Sequence, residues 1–173
     1  MLTIRAYTTD TDQDIAAITA IYGHHVLHGR ASFETEAPSV TEMRRRLQAV
    51  LDAGFPVIVA ELDGLVAGYA YASAFHARAA YRQTVEDSIY VDATLARRGI
   101  GSALLTALLD QLRQDGFHQV MAVIGDSANA GSIELHRAFG FRHIGTAHEI
   151  GFKFGGYLDV VYMQLALQQD RSV

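Results

Sequence analysis

The sequence predicts a single mixed α/β domain, and three patterns carry that expectation. Short runs of β-branched and aromatic residues alternate with longer runs of helical periodicity, and no long linker separates them. Asp63-Gly64 sits between two apolar runs, the mark of a tight hairpin. The stretch Arg97-Arg98-Gly99-Ile100-Gly101-Ser102 stands between an apolar run, Ser88-Ile89-Tyr90-Val91, and a long amphipathic one. Glycines at such a strand-to-helix junction let successive backbone N–H groups turn toward one point, at the positive end of the helix dipole. That point suits a phosphate.

Taken in order, residues 2–7 alternate as a first strand. Thr11 or Asp12 caps a helix in which Ile15, Ile18, Ile21, Tyr22 and Val26 share one face. Ser39 or Thr41 opens a second helix, with Met43, Leu47, Val50 and Leu51 at helical spacing, and Gly54 stops it. Residues 55–61 and 65–72 are the hairpin strands. The segment 75–83 is irregular and rich in His, Arg and Tyr, and 84–91 is a strand. A helix over 103–114 turns Leu104, Leu105, Leu108, Leu109 and Leu112 inward, and Gly116 ends it. A strand over 117–124, a helix over 129–139 stopping at Gly140, and closing strands near 141–151 and 158–167 complete the chain. The order β-α-α-β-β-β-α-β-α-β-β contains seven strands and four helices, fills 1–167 as one domain, and leaves 168–173 as a polar tail.

Composition narrows the function. A net charge of -5 argues against a general nucleic-acid grip, because phosphate-backbone binders are usually basic. The absence of cysteine excludes disulfides, thiolate metal sites and a cysteine nucleophile. The first residues lack the basic-then-apolar layout of a secretory signal, and no apolar run approaches ~18 residues, so a cytoplasmic protein is expected. His24 and His28 stand one helical turn apart beside His25, but no third ligand shares their face and no H-E-x-x-H pattern flanks them, so no metal is expected. Ser127, within Gly125-Asp126-Ser127-Ala128-Asn129, does not form a G-x-S-x-G elbow. Gly99 and Gly101 come too late in the chain, with Leu104 in the third position, for a dinucleotide fingerprint, and the Gly-Lys-Ser/Thr of a P-loop is missing.

The glycine turn resembles instead the acetyl-CoA signature Q/R-x-x-G-x-G/A of the GCN5-related N-acetyltransferase family, matched by Ala96-Arg97-Arg98-Gly99-Ile100-Gly101. The first position departs from that pattern. Ala96 removes one polar side chain near the pyrophosphate; Arg97 and Arg98 can compensate, and the backbone donors are untouched. Asn129, Ser132, Leu135, His136 and Ala138-Phe139-Gly140-Phe141 resemble the family's N-x-x-S/A-x-x-L-Y-x-x-x-G-F helix, with His136 in place of its Tyr. Within the family, the chain is most similar to phosphinothricin and methionine sulfoximine/sulfone acetyltransferases. The matching blocks are Ala60-Glu61 with Gly68-Tyr69-Ala70, Arg78-Ala79-Ala80-Tyr81, Thr84 through Val91, and Gly151-Phe152-Lys153-Phe154-Gly155 with Leu158-Asp159. The resemblance covers nearly the whole chain. It implies a mostly antiparallel mixed sheet, acetyl-CoA as cosubstrate without a metal, a small amino-acid-like acceptor and a homodimer.

Acetyl transfer to an amine needs a free lone pair, a held thioester and support for charge on the carbonyl oxygen and departing thiolate. Glu86 is the candidate general base, on a largely apolar strand near the expected acetyl position; the other reading is a half-buried carboxylate paired with an arginine. By resemblance, Ile89, Tyr90 and Val91 pair with the pantetheine arm as an added strand, an N–H near Tyr90 or Val91 facing the thioester oxygen. This needs a locally splayed strand. Arg97, Arg98, Gly99, Ile100, Gly101 and Ser102 would cradle the pyrophosphate. Asn129 caps its helix, contacts the cofactor, or does both. His136 either protonates the leaving thiolate or packs. His76, Arg78 and Tyr81 are acceptor candidates, Arg78 for a carboxylate or phosphinate. Phe33 and Glu34 line the pocket or lie on the surface; Lys153, Tyr157 and Asp159 are structural or at a dimer interface. A non-catalytic acyl-CoA sensor, and an acetyltransferase acting on a protein N-terminus or polyamine, are the competing functions.

Overall fold

Asp63 and Gly64 take the left-handed φ values of 53° and 84° that a two-residue hairpin turn demands. Phe154 and Gly155 repeat the device at 53° and 74°, making a second tight hairpin. The computed structural model describes residues 1–9 and 12–167; the expected polar tail and the Thr11 cap lie outside them. Its elements are β1 (Leu2–Ala6), α1 (Asp12–His28), α2 (Val40–Asp52), β2 (Val57–Leu62), β3 (Leu65–Ala74), β4 (Thr84–Val91), α3 (Ile100–Gln114), β5 (Gln119–Gly125), α4 (Ala130–Ala138), β6 (Arg142–Lys153) and β7 (Gly156–Ala166). One seven-stranded sheet holds them in the order β1-β2-β3-β4-β5-β7-β6. Only β4 and β5 run parallel, so the sheet is mixed and mostly antiparallel, as expected.

Strand alternation divides the core into two layers. On one face Leu104, Leu105, Leu108, Leu109 and Leu112 of α3 pack against Ala60, Ala70, Val85 and Val120. On the other, Ile15, Ile18, Tyr22 and Val26 of α1, with Met43 and Leu47 of α2, cover Val59, Tyr69 and Tyr90. Ser39 caps α2 by accepting the Glu42 N–H at 3.1 Å. Among the described helices none is long and apolar enough to cross a membrane. The helix expected from residue 103 begins one turn earlier, at Ile100. Gly99, with φ 77°, supplies the left-handed residue that lets the turn run straight into the helix.

The pairing of β4 with β5 ends early. It runs from Thr84↔Gln119 to Asp87↔Ala122. Beyond that point β5 continues against β7, from Val123↔Tyr162 to Gly125↔Val160. β4 meanwhile stays with β3, from Ile89↔Ala70 to Val91↔Gly68. The sheet is therefore parted between its two middle strands. Asp92 donates its N–H to the Ala67 carbonyl at 2.9 Å, and strand alternation then turns Tyr90 and Ser88 toward β3 as well. Ile89 and Val91 point their backbone groups the other way, into the gap.

Gly68 lets β3 pass close to its neighbours at this level. A Cβ there would meet the Tyr90 carbonyl oxygen at 2.8 Å and Leu104 at 3.2 Å. Gly68→Ala should therefore cost about 1–3 kcal/mol, read as a lower urea midpoint at unchanged slope.

Candidate active site

Two successive residues of β4 send carboxylates to opposite faces of the sheet. Glu86 shares a face with Ser88 and Tyr90; Asp87 shares the other with Val85 and Ile89. Burial, and behind it the adjacent Asp87 charge, pushes the Glu86 carboxyl above its ordinary value. Such a carboxylate accepts a proton more readily than a free one. Tyr71 has its own pKa raised, chiefly by burial, with the Glu86 charge adding to it.

On the opposite face Asp87 meets His136 of α4, both buried. His136 Nε2 lies 2.9 Å from Asp87 Oδ2, and Nδ1 lies 2.7 Å from the Ser132 carbonyl oxygen. A carbonyl can only accept, so Nδ1 carries hydrogen. Nε2 faces a carboxylate, so the two contacts together favour a proton on each ring nitrogen. Burial pushes its pKa down, but the Asp87 carboxylate and Ser132 carbonyl outweigh that and leave it above 6.5. Phe141 holds the ring edge-on at 4.9 Å.

The gap joins these faces. A cavity of about 450 Å³ is lined by Glu86 and Tyr90 from one side, Asp87 and His136 from the other, and Phe33 and Glu34 from the loop after α1. Glu34 Oε1 accepts from the Tyr22 hydroxyl and from Arg46, both at 2.7 Å. Burial pushes the Tyr22 hydroxyl up to about 12, so it remains a donor. A second cavity, about 610 Å³, shares Ile89, Tyr90, Asn129 and Ser132 with the first and leads past Val91 to Ala96 and Gly101. One groove thus runs from the glycine turn to Glu86.

At the turn Arg97 and Gly99 both have positive φ, 63° and 77°. Gly99 caps α3 without a side-chain bond, which leaves first-turn N–H groups of a 15-residue helix available. Arg97, Arg98 and Ser102 are exposed. Ile100 is buried in the core, so only its backbone faces the turn. Gly101 lies against Leu135, which a Cβ there would meet at 3.4 Å. Asn129 caps α4 through Oδ1, which accepts the Ser132 N–H at 3.3 Å, and it also lines both cavities. The backbone of Tyr90 is spent on β3, and the residue lines both cavities.

His76, Arg78 and Tyr81 are not brought into this cavity. They occupy the exposed segment before β4, where His76 stacks on Tyr81 at 4.9 Å beside a short 3-10 turn, Ala79–Tyr81. His24 and His28 lie ring to ring at 4.9 Å, while His25 donates Nε2–H to the Val91 carbonyl at 2.8 Å. Among the described residues no group of three His, Cys, Asp or Glu could hold a metal. Tyr157 is exposed, and Lys153 is buried. Asp159 accepts from Ser127, His148 and the Glu149 N–H, pinning a bulge of β6.

The parted strands and the bare helix terminus fit an amide-bearing, pyrophosphate-bearing molecule such as coenzyme A. The edge offers alternating N–H and C=O groups, and the turn offers N–H groups alone. Residues 5–162 match the acetyltransferase (GNAT) domain family. The chain belongs to the GNAT family of acetyltransferases.

Similar GNAT proteins cover nearly the same length. A phosphinothricin N-acetyltransferase of Alcaligenes faecalis is 48% identical over 156 residues, 90% of this chain and 79% of the relative. An L-methionine sulfoximine/L-methionine sulfone acetyltransferase of Salmonella typhimurium is 38% identical over 90% of this chain and 91% of its own. A GNAT phosphinothricin acetyltransferase from Sinorhizobium meliloti, solved in complex with acetyl-CoA, superposes with a TM-score of 0.92 at 42% identity, covering 99% of this chain and 91% of that one.

Within this GNAT site, the sequence reading missed Asp87 as the partner of His136. The signal was present: in Val85-Glu86-Asp87-Ser88-Ile89, Asp87 falls in phase with apolar residues, and a charge in that phase needs a partner. The His136 pKa is raised by folding. The stabilisation it brings is therefore complete below the unfolded value and fades as pH rises through the folded one. Asp87→Asn should lower the His136 pKa below that of the parent, followed by NMR. Its deficit in urea stability should be larger at about pH 5.5 than at about pH 9.

Proposed function

We propose that this GNAT enzyme transfers acetyl from acetyl-CoA to the amine of a small amino-acid-like molecule of the phosphinothricin, methionine sulfoximine or methionine sulfone type, with Glu86 as general base. The observation that carries the reading is the continuous groove from the α3 turn to a carboxylate of raised pKa at the strand gap. The activities named for the relatives at 48% and 38% identity support the acceptor class.

Acetyl-CoA supplies the activated acyl group as cosubstrate. Backbone N–H groups of Arg97 through Ser102 hold its pyrophosphate, helped by the Ser102 hydroxyl. Ile89 and Val91, facing the gap, pair with the pantetheine amides and offer the N–H that steadies charge on the thioester oxygen. Tyr90 and Asn129 wall the same groove. Glu34 and Glu86 attract the acceptor ammonium, and Glu86 takes its proton, directly or through a water, so that the lone pair attacks the thioester carbon. No cysteine exists to carry an acetyl-enzyme, which favours direct attack. His136 is the candidate acid for the thiolate. Its Nε2–H is shared with Asp87, so donation requires that contact to open. Phe33 supplies an apolar wall; His76, Arg78 and Tyr81, outside this cavity, take no part in it.

A homodimer belongs to the same proposal. Phe152, Phe154 and Tyr157, 62%, 55% and 68% exposed, crowd the β6–β7 hairpin, and apolar rings so displayed mark an interface. Phe154→Glu should shift a sedimenting dimer toward monomer; an unchanged sedimentation coefficient would argue for another face.

Glu86→Gln should lower kcat/KM by about 10²–10⁴ while leaving acetyl-CoA affinity within about twofold. Free-thiol release with phosphinothricin, methionine sulfoximine, methionine sulfone, common amino acids and a polyamine tests the acceptor. Turnover of the polyamine alone would overturn the acceptor class. Acetyl-CoA binding with no thiol release from any amine would make the chain a sensor.

A further inference from the structure

The end of β6 reaches the site through a buried cation. Lys153 is 4% exposed, and among the described residues no carboxylate lies within ion-pairing distance of it. Burial pushes its pKa down, with Glu34 opposing from a distance. An ammonium is expensive to bury unless its hydrogens are well used. Here Nζ donates to the Gly29 carbonyl at 2.9 Å and to the Ser32 carbonyl at 2.6 Å, and it lies 5.0 Å from the Phe154 ring centroid. Both carbonyls belong to the same loop, the one between α1 and α2.

That loop lies flat on the sheet because two glycines allow it. A Cβ on Gly125 would meet the Ala31 and Arg30 carbonyl oxygens at 2.7 and 2.8 Å, and one on Gly151 would overlap the Phe33 ring. From this position the loop presents Ala31 to both cavities and Phe33 and Glu34 to the one containing Glu86. Tyr22 fixes the loop from below, its hydroxyl 3.2 Å from Ser32 Oγ and bonded to Glu34. Lys153 grips the main chain on either side of Arg30 and Ala31, just ahead of Phe33.

We propose that Lys153 is a positioning residue for the amine acceptor: by holding the Gly29 and Ser32 carbonyls it sets Phe33 and Glu34 as the wall of the acceptor pocket. The proposal rests on the acceptor reading of that cavity. It makes Lys153 a determinant of acceptor affinity and not only a support for the hairpin.

Lys153→Met keeps the length and apolar stem and removes every donor. Its acceptor KM should rise about tenfold or more, with kcat within about threefold and acetyl-CoA KM within about twofold. Amide hydrogen exchange over residues 29–36 should speed up about tenfold while β7 is unchanged. Lys153→Gln, which keeps a donor on a shorter arm, should give intermediate exchange, and it carries the test if the methionine variant does not fold. Unchanged exchange in the loop would overturn the proposal. So would equal rises in both KM values together with a lower melting temperature, the pattern of a merely structural residue. If the parent acetylates no amino-acid-like amine, the acceptor reading fails in the parent itself, and the exchange measurement still decides whether Lys153 holds the loop.

Discussion

β4 and β5 stay together for the four pairs from Thr84↔Gln119 to Asp87↔Ala122 and then diverge, and the site depends on that divergence. A fully zipped sheet would spend the backbone groups of Ile89 and Val91 on β5 and leave no passage between the two helical layers. Past that point each strand keeps only the partner on its other edge. β4 remains paired with β3 as far as Val91, and β5 remains paired with β7 as far as Gly125. The α3 turn lies beyond the open end of β4, and α4 flanks the other side. The groove follows from strand pairing more than from any loop.

The same geometry lets neighbouring residues do different jobs. Glu86 and Asp87 are adjacent in sequence, yet the two-residue period of a strand sends one toward the tyrosines and the other toward α4. The pKa of one carboxyl is lifted chiefly by burial; the other carboxyl is tied to the His136 ring. Aromatic packing stiffens the first environment: Tyr69 stacks on Tyr90 at 5.4 Å, and Tyr22 meets Tyr90 edge-on at 4.9 Å. Burial pushes the hydroxyls of Tyr69 and Tyr90 up, which favours their neutral, protonated form.

Much of this was legible in the sequence wherever the information is local. Period-two and helical spacing locate each strand and helix, because side-chain direction repeats at those intervals. Gly99 and Gly101 mark the turn, and Asp63-Gly64 marks a hairpin. Where the reading fell short, the cause is contact across long separations. The insertion of β7 between β5 and β6, the parting of β4 from β5, and the Asp87–His136 pair, 49 residues apart, leave no periodic trace. Lys153 meets Ser32 across 121 residues, so its role is invisible until the hairpin and the loop are both in place. The exposed placement of His76, Arg78 and Tyr81 is likewise a matter of where the segment lands on the folded surface.

A sheet of seven strands ordinarily has two edges, and edges are templates for aggregation. This one has a third, inside the molecule. The outer edges are blunted, β1 by its five-residue length and β6 by register breaks at His143/Gly145 and Ala147/Gly151. Along the inner edge the Val91 carbonyl is already taken by His25, and helices and a tethered loop flank what remains. An edge placed inside the molecule is out of reach of the edge-to-edge pairing that joins open sheets.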